Sequence, residues 1–400
     1  MKLIVLLGDG MADLPLEVLG GRTPLQAAEK PNMDRLARQG RSGLARTVPE
    51  GFAPGSDVAN LSVLGYDPAE CYTGRAPLEA AAMNVYLGPD DIAFRCNFVT
   101  IEEGLMKDYS AGHISTEEGR ELIDSLAPLI PGRKLYPGVS YRHIMVWSSG
   151  ASKIECTPPH DITGKEIADY LPVGNGEDEL RQMMIKSAGI LENHPINRER
   201  LKRGEKPANS IWLWGQGRRP QIVPLTQKYD LKGGMISAVD LLNGLGINAG
   251  LKPLRVEGAT GYIDTNYEGK AKMALDALKF MDFVFLHLEA PDEMGHEGNA
   301  EGKIKAIEFF DEKIVGTILN NIGKLGDYRI LVLSDHPTPI DLKTHVGDPS
   351  PFAVLSSRKE ENLSAGHPFT EAAASNSGIL VSPGHLLMDK FIKGSAFLAQ

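Results

Sequence analysis

Aspartates and histidines recur directly behind the short apolar runs of this chain. Asp9 follows the run 3–7. Asp292 and His296 follow the run 283–288, in Pro291-Asp292-Glu293-Met294-Gly295-His296. Asp335 and His336 follow the run 330–333, and His345 comes nine residues later. Carboxylate oxygens and neutral imidazole nitrogens are ligands for divalent ions such as Mn²⁺ and Zn²⁺. Asp292 and His296 stand four apart, so on a helix both point to one side. Six such residues exceed the needs of one ion. They suit two ions about 3.5–4 Å apart, an arrangement that stabilises phosphoryl transfer. Taken singly, an Asp behind a strand is a turn former or a helix cap. Caps and turns, however, do not require histidine at 296, 336 and 345.

Ser56, in Pro54-Gly55-Ser56-Asp57, is placed to N-cap a helix. The same position puts its hydroxyl where amide N–H groups and the helix dipole favour a phosphate. A bound metal would lower the hydroxyl pKa and yield an alkoxide nucleophile.

These residues need a scaffold that brings strand ends together. Continuous apolar runs at 3–7, 211–214, 283–288, 330–333 and 352–355 suit strands buried on both faces. Helical patterns lie between them. Residues 23–39 read as a helix that Pro31 breaks in two, 302–322 as a helix on Ile304, Ile307, Phe310, Ile314 and Ile318, and 177–191 as another. Strand–helix alternation points to an α/β fold with a mainly parallel sheet, whose sites form at the carboxyl ends of strands. The stretch 108–172 differs, with a helix at 116–129 and strands at 134–136 and 143–147 between Pro- and Gly-rich joints. The expected organisation is therefore a core of 1–107 and 173–400 with a smaller inserted α+β cap domain at 108–172.

The 400 residues are long enough for a large core, and 42% hydrophobic with 24% charged residues excludes disorder as the main state. A net charge of −10 without a basic stripe excludes a general nucleic-acid binder. Three cysteines, at 71, 96 and 156, have no CxxC spacing, which argues against a disulfide framework or thiolate zinc site and fits a reducing cytoplasm. The first apolar run is too short for a signal h-region. No stretch approaches the ~18–20 apolar residues that span a bilayer. A cytoplasmic protein with no membrane partner is expected.

The motifs Leu7-Gly8-Asp9-Gly10, Pro54-Gly55-Ser56-Asp57, Asp292–His296, Asp335-His336-Pro337-Thr338-Pro339 and His345-Val346-Gly347-Asp348-Pro349 resemble those of the alkaline-phosphatase superfamily. More narrowly, the chain resembles the archaeal-type cofactor-independent (2,3-bisphosphoglycerate-independent) phosphoglycerate mutases. That likeness includes Leu64-Gly65-Tyr66-Asp67-Pro68, Tyr72-Thr73-Gly74-Arg75, Ala93-Phe94-Arg95-Cys96-Asn97, His194-Pro195-Ile196-Asn197 and Glu257-Gly258-Ala259-Thr260-Gly261. The resemblance implies two divalent ions (Mn²⁺ first, with Mg²⁺, Co²⁺ or Zn²⁺ as alternatives) and no 2,3-bisphosphoglycerate. Asp9, Ser56, Asp335 and His336 would surround one ion, and Asp292, His296 and His345 the other. Ser56 would carry a transient phosphoserine while 3- and 2-phosphoglycerate interconvert under the cap. Anion binding would fall to Arg75, Arg95, Arg142 and Lys165, with His160 and Asn97 as polar neighbours. Ser110, His113 and Trp214 stand where that family tends to carry arginine. A similar bacterial branch, proposed as homoserine kinases, supplies an alternative, although this chain lacks the GxxxxGK[ST] phosphate loop. A phosphatase or phosphonate-cleaving enzyme of the superfamily is a third reading, and a binding protein without turnover a fourth.

Overall fold

A computed structural model describes residues 1–127, 131–150, 153–363 and 366–394. The chain forms two compact units, Met1–Tyr72 with Ile222–Gln400, and Thr73–Gln221. No described helix is long and apolar enough to cross a membrane.

The strands run in chain order as β1 (Lys2–Gly8), β2 (Arg41–Ala45), β3 (Ile92–Glu102), β4 (Leu105–Asp108), β5 (Arg133–Tyr136), β6 (Arg142–Trp147), β7 (Ile154–Glu155), β8 (Val173–Gly174), β9 (Ser210–Gly217), β10 (Gly233–Ile236), β11 (Lys252–Pro253), β12 (Phe283–Leu288), β13 (Tyr328–Leu333), β14 (Ser350–Ser356) and β15 (Leu380–Val381). In the larger unit eight of them form one sheet in the order β11-β10-β12-β1-β13-β14-β2-β15. The first five are mutually parallel, whereas β14 is antiparallel to both neighbours. The centre of the sheet is β12-β1-β13, with Leu7 level with both His287 and Leu333. All six residues of β12 are buried, as are all of β1 after Lys2. That burial is why their sequences are continuous rather than alternating apolar runs. Helices cover the faces, and the core joins Ile4, Leu6, Val284, Leu286, Ile330 and Val332 to helix residues such as Leu36, Phe310 and Ile314.

The helix expected at 23–39 is two helices, Pro24–Ala27 and Pro31–Gln39, each with a proline in its first turn. Thr23 closes a capping box with Gln26 on the first. The helix expected at 302–322 begins as Ala300–Phe309, widens into a π-helical stretch at Phe310–Gly316 and resumes at Thr317–Asn321. In that stretch the Asp311 carboxylate accepts from the backbone N–H groups of Asn32 and Met33, at 3.1 and 2.6 Å. Those are two of the free donors that begin the helix Pro31–Gln39.

The smaller unit is α+β. Its long strand β3 pairs antiparallel with β4, β6 and β9, and β6 pairs with β5. Helices Thr116–Ser125 and Glu177–Leu191 contribute Leu122, Ile123, Leu180 and Met184 to its core. Positions 128–129, the expected end of the first, lie outside the described residues. The boundaries at 108 and 172 need correction. Residues 73–107 and 173–221 belong to the smaller unit, because β9 lies against β3 along Ala93–Val99 and completes its sheet.

Candidate active site

Because β12, β1 and β13 are adjacent and parallel, their carboxyl ends share one edge, and the chain leaves each strand carrying acidic or imidazole groups. Gly10 follows Asp9 with a φ of +59°, and a Cβ there would lie 2.5 Å from both Asp292 Oδ1 and Thr338 Oγ1. The left-handed turn and the missing side chain let β1's exit approach the other two loops this closely.

Three groups of possible metal ligands converge at this edge, the members of each within 4.8 Å of one another. They are Asp292, His296 and His345; Asp9, Asp292 and His336; and Asp9, His287 and Glu289. In the first, His296 Nε2 lies 3.2 Å from Asp292 Oδ2 and 2.9 Å from His345 Nε2, while His345 Nε2 is 3.4 Å from Asp292 Oδ1. His296 Nδ1 faces the Lys343 carbonyl at 3.0 Å. With Nδ1 turned to that carbonyl, Nε2 is the nitrogen that would face a cation. The hydrogen bond that His296 donates to Asp292 pushes the imidazole up to about 9, with burial opposing it. Burial pushes Asp292 upward, but the bonds from His296 and His345 outweigh it and hold that carboxyl well below the usual range.

Around Asp9 the balance is reversed. Burial, then the charges of Asp335, Glu289 and Asp292, raise its carboxyl well above the ordinary value. Burial followed by Asp292 does the same to Glu289. Buried carboxylates gathered without matching cations repel one another. A donor set of carboxylate and imidazole groups with such a charge excess fits divalent cations. His287, pushed down to about 3 by burial, stays neutral; it bridges Asp9 Oδ2 at 2.8 Å and Ser237 Oγ at 3.1 Å. Lys270, also buried and lowered to about 8 by that burial, reaches the His287 carbonyl at 3.2 Å.

Ser56 Oγ points into this cluster, 3.2 Å from His336 Nε2 and 3.5 Å from Asp9 Oδ1. The cap expected of Ser56 is corrected: Gly55 is the N-cap of the helix Ser56–Val63, and Ser56 is its first residue. Its hydroxyl is therefore not spent on the helix's own amides. Asp335 reaches the same place, 3.6 Å from His336 Nε2, yet joins none of the three converging groups. Its Oδ1 accepts from the Gly10 and His336 N–H groups at 3.1 and 2.9 Å, and its Oδ2 from Asn60 Nδ2 at 2.8 Å. His287, Glu289, Asn60 and Lys270 were not singled out from sequence. The signal for His287 was the one polar residue in the apolar run Phe283–Leu288.

The anion-binding candidates lie in the smaller unit. The Arg95 guanidinium stacks 4.0 Å above the Trp214 ring and pairs with Glu79 at 3.0 Å. Burial lowers its pKa, Glu79 opposes that, and Arg75 and Arg142 lower it further, so three guanidiniums share one region. Asn97 accepts from Trp214 Nε1 at 3.2 Å, and the His160 ring meets the Trp214 ring edge-on at 5.2 Å. Arg75, Arg95, Asn97, Arg142 and His160 are thus neighbours. Lys165 instead donates to the Asp161 carbonyl at 3.0 Å and lies over Tyr170.

Residues 37–197 match a family model described as 2,3-bisphosphoglycerate-independent phosphoglycerate mutase. A protein of that name from Methanothrix thermoacetophila is 55% identical, the alignment covering 98% of this chain and all of the relative. A probable enzyme of the same name from Geobacter sulfurreducens is 54% identical over the same shares. Among solved structures, a protein from Pyrococcus horikoshii superposes with a TM-score of 0.81 at 30% identity, covering 100% of this chain and 99% of that one. A cofactor-independent phosphoglycerate mutase from Thermoplasma acidophilum gives 0.67 at 27%, covering 99% and 100%. With one α/β architecture and near-complete alignment to such relatives, this chain belongs to the 2,3-bisphosphoglycerate-independent phosphoglycerate mutase family.

Proposed function

We propose that this protein interconverts 3-phosphoglycerate and 2-phosphoglycerate by passing the phosphoryl group through Ser56. The observation that carries this reading is the place of Ser56 Oγ, at a helix start and 3.2 Å from His336 Nε2. The names of the relatives at 54–55% identity favour isomerisation over the kinase alternative.

Asp292, His296 and His345 would hold one divalent ion, and Asp9, Ser56, Asp335 and His336 the other, with Mn²⁺ the first candidate. Bound there, the ions would lower the pKa of the Ser56 hydroxyl and offset charge on phosphate oxygens. Ser56 attacks the phosphorus in line and releases glycerate. The free amides of the first helical turn face the phosphoryl oxygens. The other glycerate hydroxyl then takes the phosphoryl group back and regenerates Ser56. Arg75, Arg95 and Arg142 bind the anionic groups of the substrate, with Asn97, His160 and Lys165 in support. The smaller unit acts as the cap that excludes water, which would otherwise hydrolyse the phosphoserine. The free thiols Cys71, Cys96 and Cys156 suit a cytoplasmic setting.

The test combines turnover with trapping. Protein loaded with Mn²⁺ receives 3-phosphoglycerate, or ATP plus homoserine, and Ser56 phosphorylation is read by mass spectrometry. Expected are 2-phosphoglycerate in the first arm only, a phosphate on Ser56, and no turnover by Ser56→Ala. Wild-type turnover by that variant, or product only in the second arm, overturns the reading.

A further inference from the structure

Thr338 lies between two of the ligand groups and belongs to none of them. Its side chain is fully buried. Its hydroxyl donates to Asp292 Oδ1 and lies 3.3 Å from His336 Nδ1. Asp292 is common to the first two groups, whereas His336 belongs to the second alone. Its backbone is fixed at both ends: the N–H donates to the Ala12 carbonyl at 3.2 Å, and the carbonyl accepts from Lys303 Nζ at 2.8 Å. Glycine surrounds it, since a Cβ on Gly295 would lie 2.6 Å from its carbonyl oxygen and one on Gly10 2.5 Å from its hydroxyl. A side chain at either glycine would collide with Thr338.

Proton counting then fixes the roles. A threonine hydroxyl has one proton, and a carboxylate only accepts. With that proton on the bond to Asp292, the contact with His336 requires the imidazole to donate from Nδ1. The His336 lone pair must therefore sit on Nε2, the nitrogen 3.2 Å from Ser56 Oγ and 3.3 Å from Asp9 Oδ1. A ring nitrogen can ligate a cation only through its lone pair, and the bond made by the other nitrogen sets which one is free.

We propose that Thr338 is a positioning residue that uses one proton to orient Asp292 and to set the His336 tautomer, tying the two metal positions together. The proposal rests on the two-ion reading above. Outer-sphere partners of metal ligands carry about 10–100-fold in metal affinity, and Thr338 serves ligands of both positions at once.

The test is calorimetric Mn²⁺ titration of the full-length protein with Thr338→Val, Thr338→Ser and Thr338→Ala, alongside histidine side-chain ¹⁵N spectra of the metal-free proteins above pH 7. Ser and Ala differ only in the hydroxyl, so their comparison stands even if the valine variant fails to fold. Expected are two Mn²⁺ bound by wild type, near-wild-type affinity for the serine variant, and about 10–100-fold weaker uptake for alanine and valine. The His336 spectrum should show Nδ1–H in wild type and serine, and a mixture of tautomers in alanine. Equal Mn²⁺ affinity in the serine and alanine variants, with an unchanged His336 tautomer, overturns the role of Thr338. Failure of wild type to take up Mn²⁺ overturns the two-ion reading itself.

Discussion

Replacing Lys303 by methionine should destabilise the larger unit while sparing the smaller one. Lys303 and Asp13 are both fully buried and pair at 2.7 Å. The same ammonium also donates to the carbonyls of Ala12 and Thr338 at 3.2 and 2.8 Å. Methionine keeps the length of the stem and removes all three bonds. The Asp13 carboxylate would retain only backbone donors, from Leu14 at 2.8 Å and Ile340 at 3.3 Å. Removing one partner of a buried pair costs about 3–5 kcal/mol. The surviving donors place the expectation at the lower end, about 3 kcal/mol. At about 2–4 °C per kcal/mol for a unit of this size, that is a fall of about 6–12 °C in melting temperature. The three tryptophans, Trp147, Trp212 and Trp214, all lie in the smaller unit. Fluorescence therefore follows that unit, and far-UV circular dichroism follows both. Lys303→Met should lower the dichroism transition and leave the fluorescence transition in place. Adding Asp13→Asn removes the orphaned charge and should restore about half of the loss. A Lys303→Met protein within about 1 kcal/mol of wild type would refute the reasoning, as would a double variant no more stable than the single one.

Other expectations follow from the same geometry. Chelation should abolish turnover and lower the melting temperature of the larger unit, and Mn²⁺ at a hundredfold its Kd should return about 2.7 kcal/mol; an unchanged melting curve would count against a metal site. Trp214→Ala removes the stack beneath Arg95, worth about 0.5–2 kcal/mol, so KM for phosphoglycerate should rise about 2–30-fold; an unaltered KM would dissociate Arg95 from substrate binding. His143, in the smaller unit, is pushed down to about 3 by burial and accepts from Gly138 N–H at 3.0 Å. Below pH 6.5 the unfolded chain takes a proton that the folded one refuses. Its contribution is thus complete above 6.5 and falls by about 1.4 kcal/mol per pH unit toward 3. Tryptophan-monitored unfolding from pH 6.5 to 5 should show that slope in wild type and a flatter one in His143→Gln; equal slopes would exclude His143.

The residues that define the site were legible in sequence where chemistry broke a pattern. An Asp behind an apolar run passes for a turn former, but turns do not require histidine at 296, 336 and 345, and those residues exposed the set that includes Asp9 and Asp335. His287 was hidden because a neutral histidine inside β12 fits a buried strand as well as it fits a ligand group. The contacts that hold Asp335 in place were not legible either. Asp335 stands beside His336 in the chain, but its oxygens are taken by the amides of Gly10 and His336 and by Asn60, and those bonds exist only after folding. The strands themselves were readable from apolar runs, whereas their partners were not. The run 211–214 carries no sign that β9 lies against β3, so apolar runs alone make the smaller unit shorter than it is.

The chain enters and leaves that smaller unit at a single point. Thr73 Oγ1 donates to the Arg218 carbonyl, and a Cβ on Gly74 would collide with the carbonyl of Gln216. For the folding of the larger sheet, an excursion of about 150 residues is thereby shortened to a bridge of a few. Loop closure costs about 0.6 kcal/mol per doubling of length, so the roughly five doublings removed amount to about 3 kcal/mol. Once the insert has formed, β1 and β12 can find each other almost as if the intervening sequence were absent. The order of assembly on a growing chain would then be insert first and central sheet second.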